Sequence, residues 1–305
     1  MTEDHSAQNT LVSALRRRSK MVALKDLNTP AKNTWCPGCG NFGILSAFKN
    51  ALVELGLERE QVVMVSGIGC HGKISDYVNV NTFHGIHGRV LPLATGIKLA
   101  NPDLTVVGFS GDADCYDEGW DHFCHAIRRN MDLTLIVHNN MILGLTTGQT
   151  TATSQTGFKT KSTPFGAIAT PLNPIAHALI SNGTFVARGF AGDPKHLTSL
   201  VVEAMKHKGF NYIDVFQPCV TFNYLNTYEW FRQRVYKLEE TGHDANNKTE
   251  ALEKSFEWGD KIPIGIFYKE ERPAYHENLP QLKGVPLTKM PIDNVEVSSI
   301  IESMK

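Results

Sequence analysis

The sequence predicts an α/β fold: a doubly wound, mostly parallel sheet with helices on both faces. Apolar, β-branched runs without polar alternation recur along the chain, the pattern of strands covered on both sides. Helical patterns lie between them, as crossovers between parallel strands require. Polar residues of chemical interest follow each run. They mark one edge of the sheet, because open α/β sheets bind ligands outside the carboxyl ends of their strands.

Each element can be justified in chain order. A helix expected over 41–57 places Ile44, Ala47, Phe48, Ala51, Leu52 and Leu55 along one face. Strands are expected at 62–66 (VVMVS) and 104–110 (LTVVGFS). In EGWDHFCHAIRRN, Trp120, Phe123 and Ile127 recur at near-helical spacing, and a third strand follows at 133–138 (LTLIVH). Asp193 is placed to cap a helix that opens on Pro194 and ends before Gly209, and the fourth strand is 212–216 (YIDVF). The chain then turns polar, with one short helix expected near 249–258. The expected organisation is an N-terminal leader or partner-contacting arm over 1–34 and one α/β domain over 35–220. Residues 221–305 are expected as an irregular extension packed on the core or on a partner. No internal repeat or low-complexity segment interrupts this order.

Composition narrows the function class. Of 305 residues, 42% are hydrophobic and 20% charged, ordinary values for a globular chain, and the length suits one large domain or two small ones. A net charge of −1 gives no electrostatic reason to expect nucleic acid or an anionic membrane. No apolar run approaches the roughly 20 residues of a membrane span. Acidic residues precede the RRR cluster near the N-terminus and no apolar stretch follows it, unlike a targeting signal. Six cysteines are too sparse for a secreted disulfide scaffold, so a cytoplasmic protein with ligand or redox cysteines is expected.

The strongest motif spans two strand ends. Gly111 and Asp112 follow the second strand, and Asn139 and Asn140 follow the third. On neighbouring parallel strands, Asp112 and Asn140 can converge. A carboxylate, an amide oxygen and a backbone carbonyl, here that of Ile142, form a hard oxygen set suited to Mg²⁺. Backbone N–H groups of the turn and the following helix start would hold phosphate oxygens. The plain alternative is a helix cap at Asp112 and a turn shaped by the asparagines. Two such signals on successive strand ends favour the metal.

Gly111-Asp112 with Asn139-Asn140 resembles the cofactor motif of thiamine diphosphate enzymes. One position departs from it: Ala113 stands where glycine is usual. A methyl group there limits approach of the backbone to a diphosphate and penalises positive φ.

The cysteines add a second signal. Cys36 and Cys39 form a C-x-x-C in WCPGCGNFG, Cys70 closes GIGC, and Cys219 closes DVFQPC. Taken alone, this set suits zinc or an iron–sulfur cluster. A redox dithiol fits less well, since that motif usually opens a helix directly after a strand. With WCPGCGNFGIL, GIGCHGK, FHGIHGRVLPLATGIKLANPDL, HAIRRNMDL and NNMILGLTTGQTTATS, the chain resembles the β subunit of 2-oxoacid:ferredoxin oxidoreductases. The resemblance runs from about Trp35 to Cys219, with a looser echo in FYKEERPAY.

That resemblance implies a sheet of the thiamine diphosphate-binding, diphosphate-domain type. It implies one 4Fe–4S cluster on Cys36, Cys39, Cys70 and Cys219, and Mg²⁺ on Asp112, Asn140 and the Ile142 carbonyl. Thiamine diphosphate would be contacted by Ile68, Gly69, Cys70, His71, His87, Ala113, Asp114, Gly144 and Leu145. Lys73 is the candidate for the substrate carboxylate, against the bland reading of a solvated lysine, and Leu145 would shape the pocket. His71 stands where many relatives carry a small hydroxyl residue. Cys115 and Cys124 have no role in the family and are assigned to packing.

The implied activity is CoA-dependent oxidative decarboxylation of a 2-oxoacid, with electrons passed to ferredoxin. It is reversible as reductive carboxylation, the sense used in the reductive TCA cycle. The expected substrate is 2-oxoglutarate; pyruvate or a broad range of 2-oxoacids is the alternative. No glutamate in this chain stands out as the group that activates the aminopyrimidine ring. The resemblance places it on an α subunit, which would bear the pyrimidine-binding domain, in a dimer of αβ heterodimers. Two further readings are a non-oxidative thiamine enzyme with structural zinc and an electron-transfer subunit without thiamine chemistry. Metal content and cofactor binding separate them.

Overall fold

The computed structural model describes residues 22–282, 285–291 and 296–305; most of the expected leader, residues 1–21, lies outside the described residues. Eight strands form one sheet: β1 (Val62–Ser66), β2 (Asn81–His84), β3 (Thr105–Gly111), β4 (Leu133–Asn139), β5 (Phe185–Phe190), β6 (Phe210–Phe216), β7 (Val235–Lys237) and β8 (Ile262–Lys269). Their order is β2-β1-β3-β4-β6-β5-β8-β7, and every neighbouring pair is parallel except β5 and β8. The helices among the described residues are α1 (Asn41–Leu55), α2 (Val90–Ala100), α3 (Trp120–Arg129), α4 (Pro174–Ile180), α5 (Pro194–Lys206), α6 (Tyr228–Arg232), α7 (Lys248–Ser255) and α8 (Ser298–Ser303). None is long and apolar enough to cross a membrane.

The elements form where local chemistry directs them. β4 and β6 are buried at every residue, which explains their unbroken apolar reading. α1 buries Ile44, Ala47, Phe48, Ala51 and Leu52 in a core that also holds Leu197, Leu200 and Val201 of α5. It stops at Gly56, which is left-handed at φ 63°. α5 begins as expected: the Asp193 carboxylate accepts a hydrogen bond from His196 N at 3.1 Å, and Pro194 takes the first turn. A second core gathers Phe123 of α3 with Tyr212, Phe210 and Phe267.

The four expected strands are present, with β3 shifted by one residue and β6 starting earlier, at Phe210. Four more strands, β2, β5, β7 and β8, lie outside the sequence expectation. All residues of β2 are exposed, so NTFH has no burial signature. In β5, FVARGF, a charge breaks the apolar run, yet every residue is buried. The irregular extension expected over 221–305 also needs correction, because it adds β7 and β8 to the sheet. IPIGIFYK is apolar enough to close the sheet edge against β5, with a register shift between Val186 and Ala187. The helix expected near 249–258 is α7, ending at Ser255.

This topology sets the working edge. β1, β3, β4 and β6 lie side by side in the sheet. Beyond their carboxyl ends come Gly67–Cys70, Asp112, Asn140 and Gln217–Cys219.

Candidate active site

Every residue expected to touch the cofactor or its metal lines one cavity at this edge. It is walled by Ile68, Gly69, Cys70 and His71 after β1, His87, Asp112 to Asp114 after β3, Asn140 and Ile142 after β4, and Gly144 and Leu145. Ala113 opens a π-helical turn over Ala113–Asp117 and is not among the residues with positive φ. The expected backbone penalty of alanine there therefore does not arise; only the methyl itself remains.

Asp112 is buried, and Oδ2 accepts hydrogen bonds from Thr151 Oγ1 at 2.6 Å and Thr153 Oγ1 at 2.8 Å. Burial pushes its carboxyl up to about 7, against the pull of the two hydroxyls. No lysine or arginine pairs with it among the described residues, so a divalent cation would supply the missing countercharge. Asn140 Nδ2 donates to Gln217 Oε1 at 3.1 Å, and Asn140 Oδ1 accepts from Ile142 N at 3.0 Å. These bonds fix both the asparagine and the loop that presents the Ile142 carbonyl. The loop is tightly wound: Met141 at φ 57° and Thr147 at φ 75° are non-glycine residues in left-handed conformation.

Asp114 lines the cavity as expected and also has a structural task. Its carboxylate accepts from Gly88 N at 2.9 Å, Ile68 N at 3.2 Å and Ser110 Oγ, with His87 Nδ1 at 3.1 Å and His71 Nε2 at 3.5 Å. Burial alone would raise its pKa, but His71 and these donors hold it below the ordinary range. One buried carboxylate thus ties the loops after β1 and β2 to the end of β3. Gly67 has to be glycine, since a Cβ would sit 1.9 Å from Asp114 Oδ2.

The four expected ligand cysteines line an adjoining cavity, together with Trp35, Lys73 and Gln217. Burial pushes the Cys39 thiol up to about 12, and the neighbouring Cys219, Cys70 and Cys36 reinforce the rise against a backbone hydrogen bond at Asn41. A Cβ on Gly144 would lie 3.6 Å from both Cys70 Sγ and Cys219 Sγ. Among the described residues, no three Cys, His, Asp or Glu side chains converge as a single ion demands. Cys115, of no assigned role, is buried, and Cys124 is half-buried on α3.

Several residues that position the site escape the sequence reading. Gln217 Nε2 reaches Cys39 Sγ at 3.4 Å while its Oε1 accepts from Asn140, so one side chain bridges the thiol and the asparagine amide. Trp35 Nε1 donates to the Cys70 carbonyl at 2.6 Å. Thr151 and Thr153 lie in a stretch that stands out only by its resemblance. Their one local signal is a run of hydroxyl residues following a strand end, too common to single out. Lys73 stands on the cysteine side, with Nζ donating to Thr34 Oγ1 at 2.9 Å, and does not line the first cavity. Leu145 lines both and is partly exposed.

A glycine-lined cavity at the carboxyl edge of a parallel sheet, with buried Asp112 and half-buried Asn140 on its wall, defines the class. Residues 67–215 match the family model of the thiamine pyrophosphate enzyme C-terminal TPP binding domain. Residues 219–284 match the model for the C-terminal part of the pyruvate ferredoxin oxidoreductase beta subunit. The subunit beta of a 2-oxoacid:ferredoxin oxidoreductase from a Sulfolobus species is 50% identical over 264 residues, 82% of this chain and 87% of its own. A 2-oxoglutarate synthase subunit KorB from Archaeoglobus fulgidus is 39% identical over 249 residues, 82% of this chain and 89% of its own. A solved 2-oxoglutarate:ferredoxin oxidoreductase from Magnetococcus marinus, with 2-oxoglutarate, coenzyme A and succinyl-CoA bound, superposes with a TM-score of 0.86 at 35% identity. It covers 95% of this chain and 98% of its own. The chain belongs to the family of 2-oxoacid:ferredoxin oxidoreductase β subunits.

Proposed function

We propose that this chain is the β subunit of a 2-oxoglutarate:ferredoxin oxidoreductase, holding thiamine diphosphate, Mg²⁺ and one 4Fe–4S cluster. The observation that carries the reading is a shared wall. Cys70, Asn140, Gly144 and Leu145 line both the cofactor cavity and the cysteine cavity. A pairing of these two sites at one sheet edge suits a reaction that releases CO₂ and hands electrons on singly.

Asp112, Asn140 and the Ile142 carbonyl would hold Mg²⁺, a hard cation that favours oxygen ligands. Cys36, Cys39, Cys70 and Cys219 line one cavity, and four thiolates suit a 4Fe–4S cluster, with zinc as the alternative that metal analysis separates. Thiamine diphosphate, when bound, supplies the carbanion stabilisation that decarboxylation of a 2-oxoacid needs. Leu145 borders the place where both sites meet, and Lys73 offers a cation to a substrate carboxylate from the cysteine side. Coenzyme A would take the acyl group and ferredoxin the electrons, while the pyrimidine side is completed by an α subunit. The substrate choice of 2-oxoglutarate is supported by the names of the KorB relatives and of the Magnetococcus structure.

The test is anaerobic. Roughly four iron and four acid-labile sulfide per chain are expected in the assembled protein, with ferredoxin reduction faster on 2-oxoglutarate than on pyruvate. One zinc without sulfide would sink the cluster; a preference for pyruvate would overturn the substrate.

A further inference from the structure

Gln217 directly follows β6, is 1% exposed and lines the cysteine cavity. Every polar atom of its side-chain amide is engaged. Nε2 donates to Cys39 Sγ at 3.4 Å and to the Pro218 carbonyl at 3.1 Å, and Oε1 accepts from Asn140 Nδ2 at 3.1 Å. Backbone groups dictate this orientation from both ends. Only the nitrogen end of the glutamine can face the Pro218 carbonyl, and only the oxygen end of Asn140 can face the Ile142 N–H, 3.0 Å away. Two amides in series therefore run from the Asn140 oxygen to the Cys39 sulfur, each with its N–H toward the sulfur.

The surrounding loops are built to hold this chain. A Cβ on Gly40 would come 2.9 Å from Gln217 Cγ and 3.0 Å from Pro218 N, so the C-x-x-C loop closes on the glutamine only because residue 40 has none. Gly40 N–H donates to the same Pro218 carbonyl at 3.1 Å. Cys39 is buried whereas Cys36 is exposed, so at Cys39 water is a poor substitute for a lost donor. A hydrogen bond to a thiolate sulfur stabilises the negative charge that a cluster gains on reduction, which raises its potential. Amides in series polarise one another, so a cation on the Asn140 oxygen strengthens the N–H at the far end. We infer that Gln217 is a positioning residue that raises the reduction potential of the cluster through Cys39 and couples that potential to Mg²⁺ at Asn140. This inference rests on the proposed function. The coupling is reciprocal, so reduction of the cluster tightens Mg²⁺ to the same degree.

The experiment is redox titration of the assembled protein, followed by electron paramagnetic resonance, in wild type and Gln217→Met. Each is titrated with and without Mg²⁺ and thiamine diphosphate. Methionine matches glutamine in length and has no side-chain N–H. With iron content and thermal transition unchanged, the variant should show a reduced-to-oxidised ratio about ten-fold lower at a fixed potential, about 59 mV for one electron. Charge acting through space reaches the cluster in both proteins alike, so the shift on loading Mg²⁺ and cofactor should be more positive in wild type. An unchanged potential in Gln217→Met, or equal shifts on loading, overturns the proposal. Where Gln217→Met loses iron, wild type labelled with ¹⁵N in its glutamine side chains decides. Gln217 is the only glutamine among the described residues lining the cysteine cavity, so the reduced cluster should show a ¹⁵N coupling in pulsed resonance, and its absence overturns the proposal. Zinc instead of iron in wild type overturns the underlying reading, whereas iron with an unaltered potential overturns this inference alone.

Discussion

At the scale of single residues, charge placement decides what the candidate active site can hold. Asp112 and Asp114 are two residues apart and both buried, yet their surroundings push them in opposite directions. Asp114 is saturated with donors and acts as a tether. Asp112 has two hydroxyls and a backbone donor at Ala113, and no lysine or arginine partner among the described residues, which suits a metal ligand. Thr151→Val or Thr153→Val should therefore weaken Mg²⁺ binding about ten- to a hundred-fold while leaving the fold intact, as seen by calorimetry with thiamine diphosphate present. The pH dependence follows in sign. Without a cation, folded Asp112 keeps its proton up to about 7, whereas the unfolded chain releases it in the ordinary carboxylate range. The stability it contributes is present below that range and is lost as pH rises through about 7. A bound cation must displace the same proton, so Mg²⁺ affinity should fall about ten-fold per pH unit below about 7. A flat profile across that window would show that Asp112 is already ionised in the free protein.

At the scale of elements, strand ends and the turns after them carry the site, and this is why so much of it was legible. Asp112, Asn140, Cys70 and Cys219 could be placed at one edge because each follows an apolar run that reads as a strand. What escaped were contacts between segments distant in sequence. Gln217 meets both Cys39 and Asn140, and Thr151 and Thr153 turn back onto Asp112, but spacing gives no hint of either. β5 escaped for an energetic reason, because a buried Arg188 contradicts the usual cost of interior charge. The glycines give sharper tests. Gly67→Ala forces a Cβ into the Asp114 carboxylate and should cost the loop its register, read as loss of soluble assembled protein. Gly144→Ala meets only ordinary contacts in the free chain, at 3.6 Å from two sulfurs. It should fold with an unchanged thermal transition but bind less iron. Full iron content in Gly144→Ala would mean the cluster does not occupy that space. On α5, Asp193→Ala removes the N-cap and should cost about 1 kcal/mol in urea unfolding.

At the scale of the molecule, one sheet assembles every part that this chain contributes, and β7 and β8 extend it beyond β5 without lining the cofactor or the cysteine cavity. Under the proposed function the chain is half of a catalytic unit. Purified alone it should reduce no ferredoxin, and addition of the partner subunit should restore turnover; activity of the isolated chain would show that it holds all the catalytic groups. The wall that the two cavities share has a further consequence, which concerns how such a protein can change over generations. Cys70, Asn140, Gly144 and Leu145 each face both chambers, so no substitution among them can adjust one chamber and spare the other. Drift in substrate preference is then channelled to residues that face one side only, such as His87 on the first and Lys73 on the second. A saturation library across this edge should show that partition as a sharp boundary in tolerance, four positions wide and nearly intolerant of replacement.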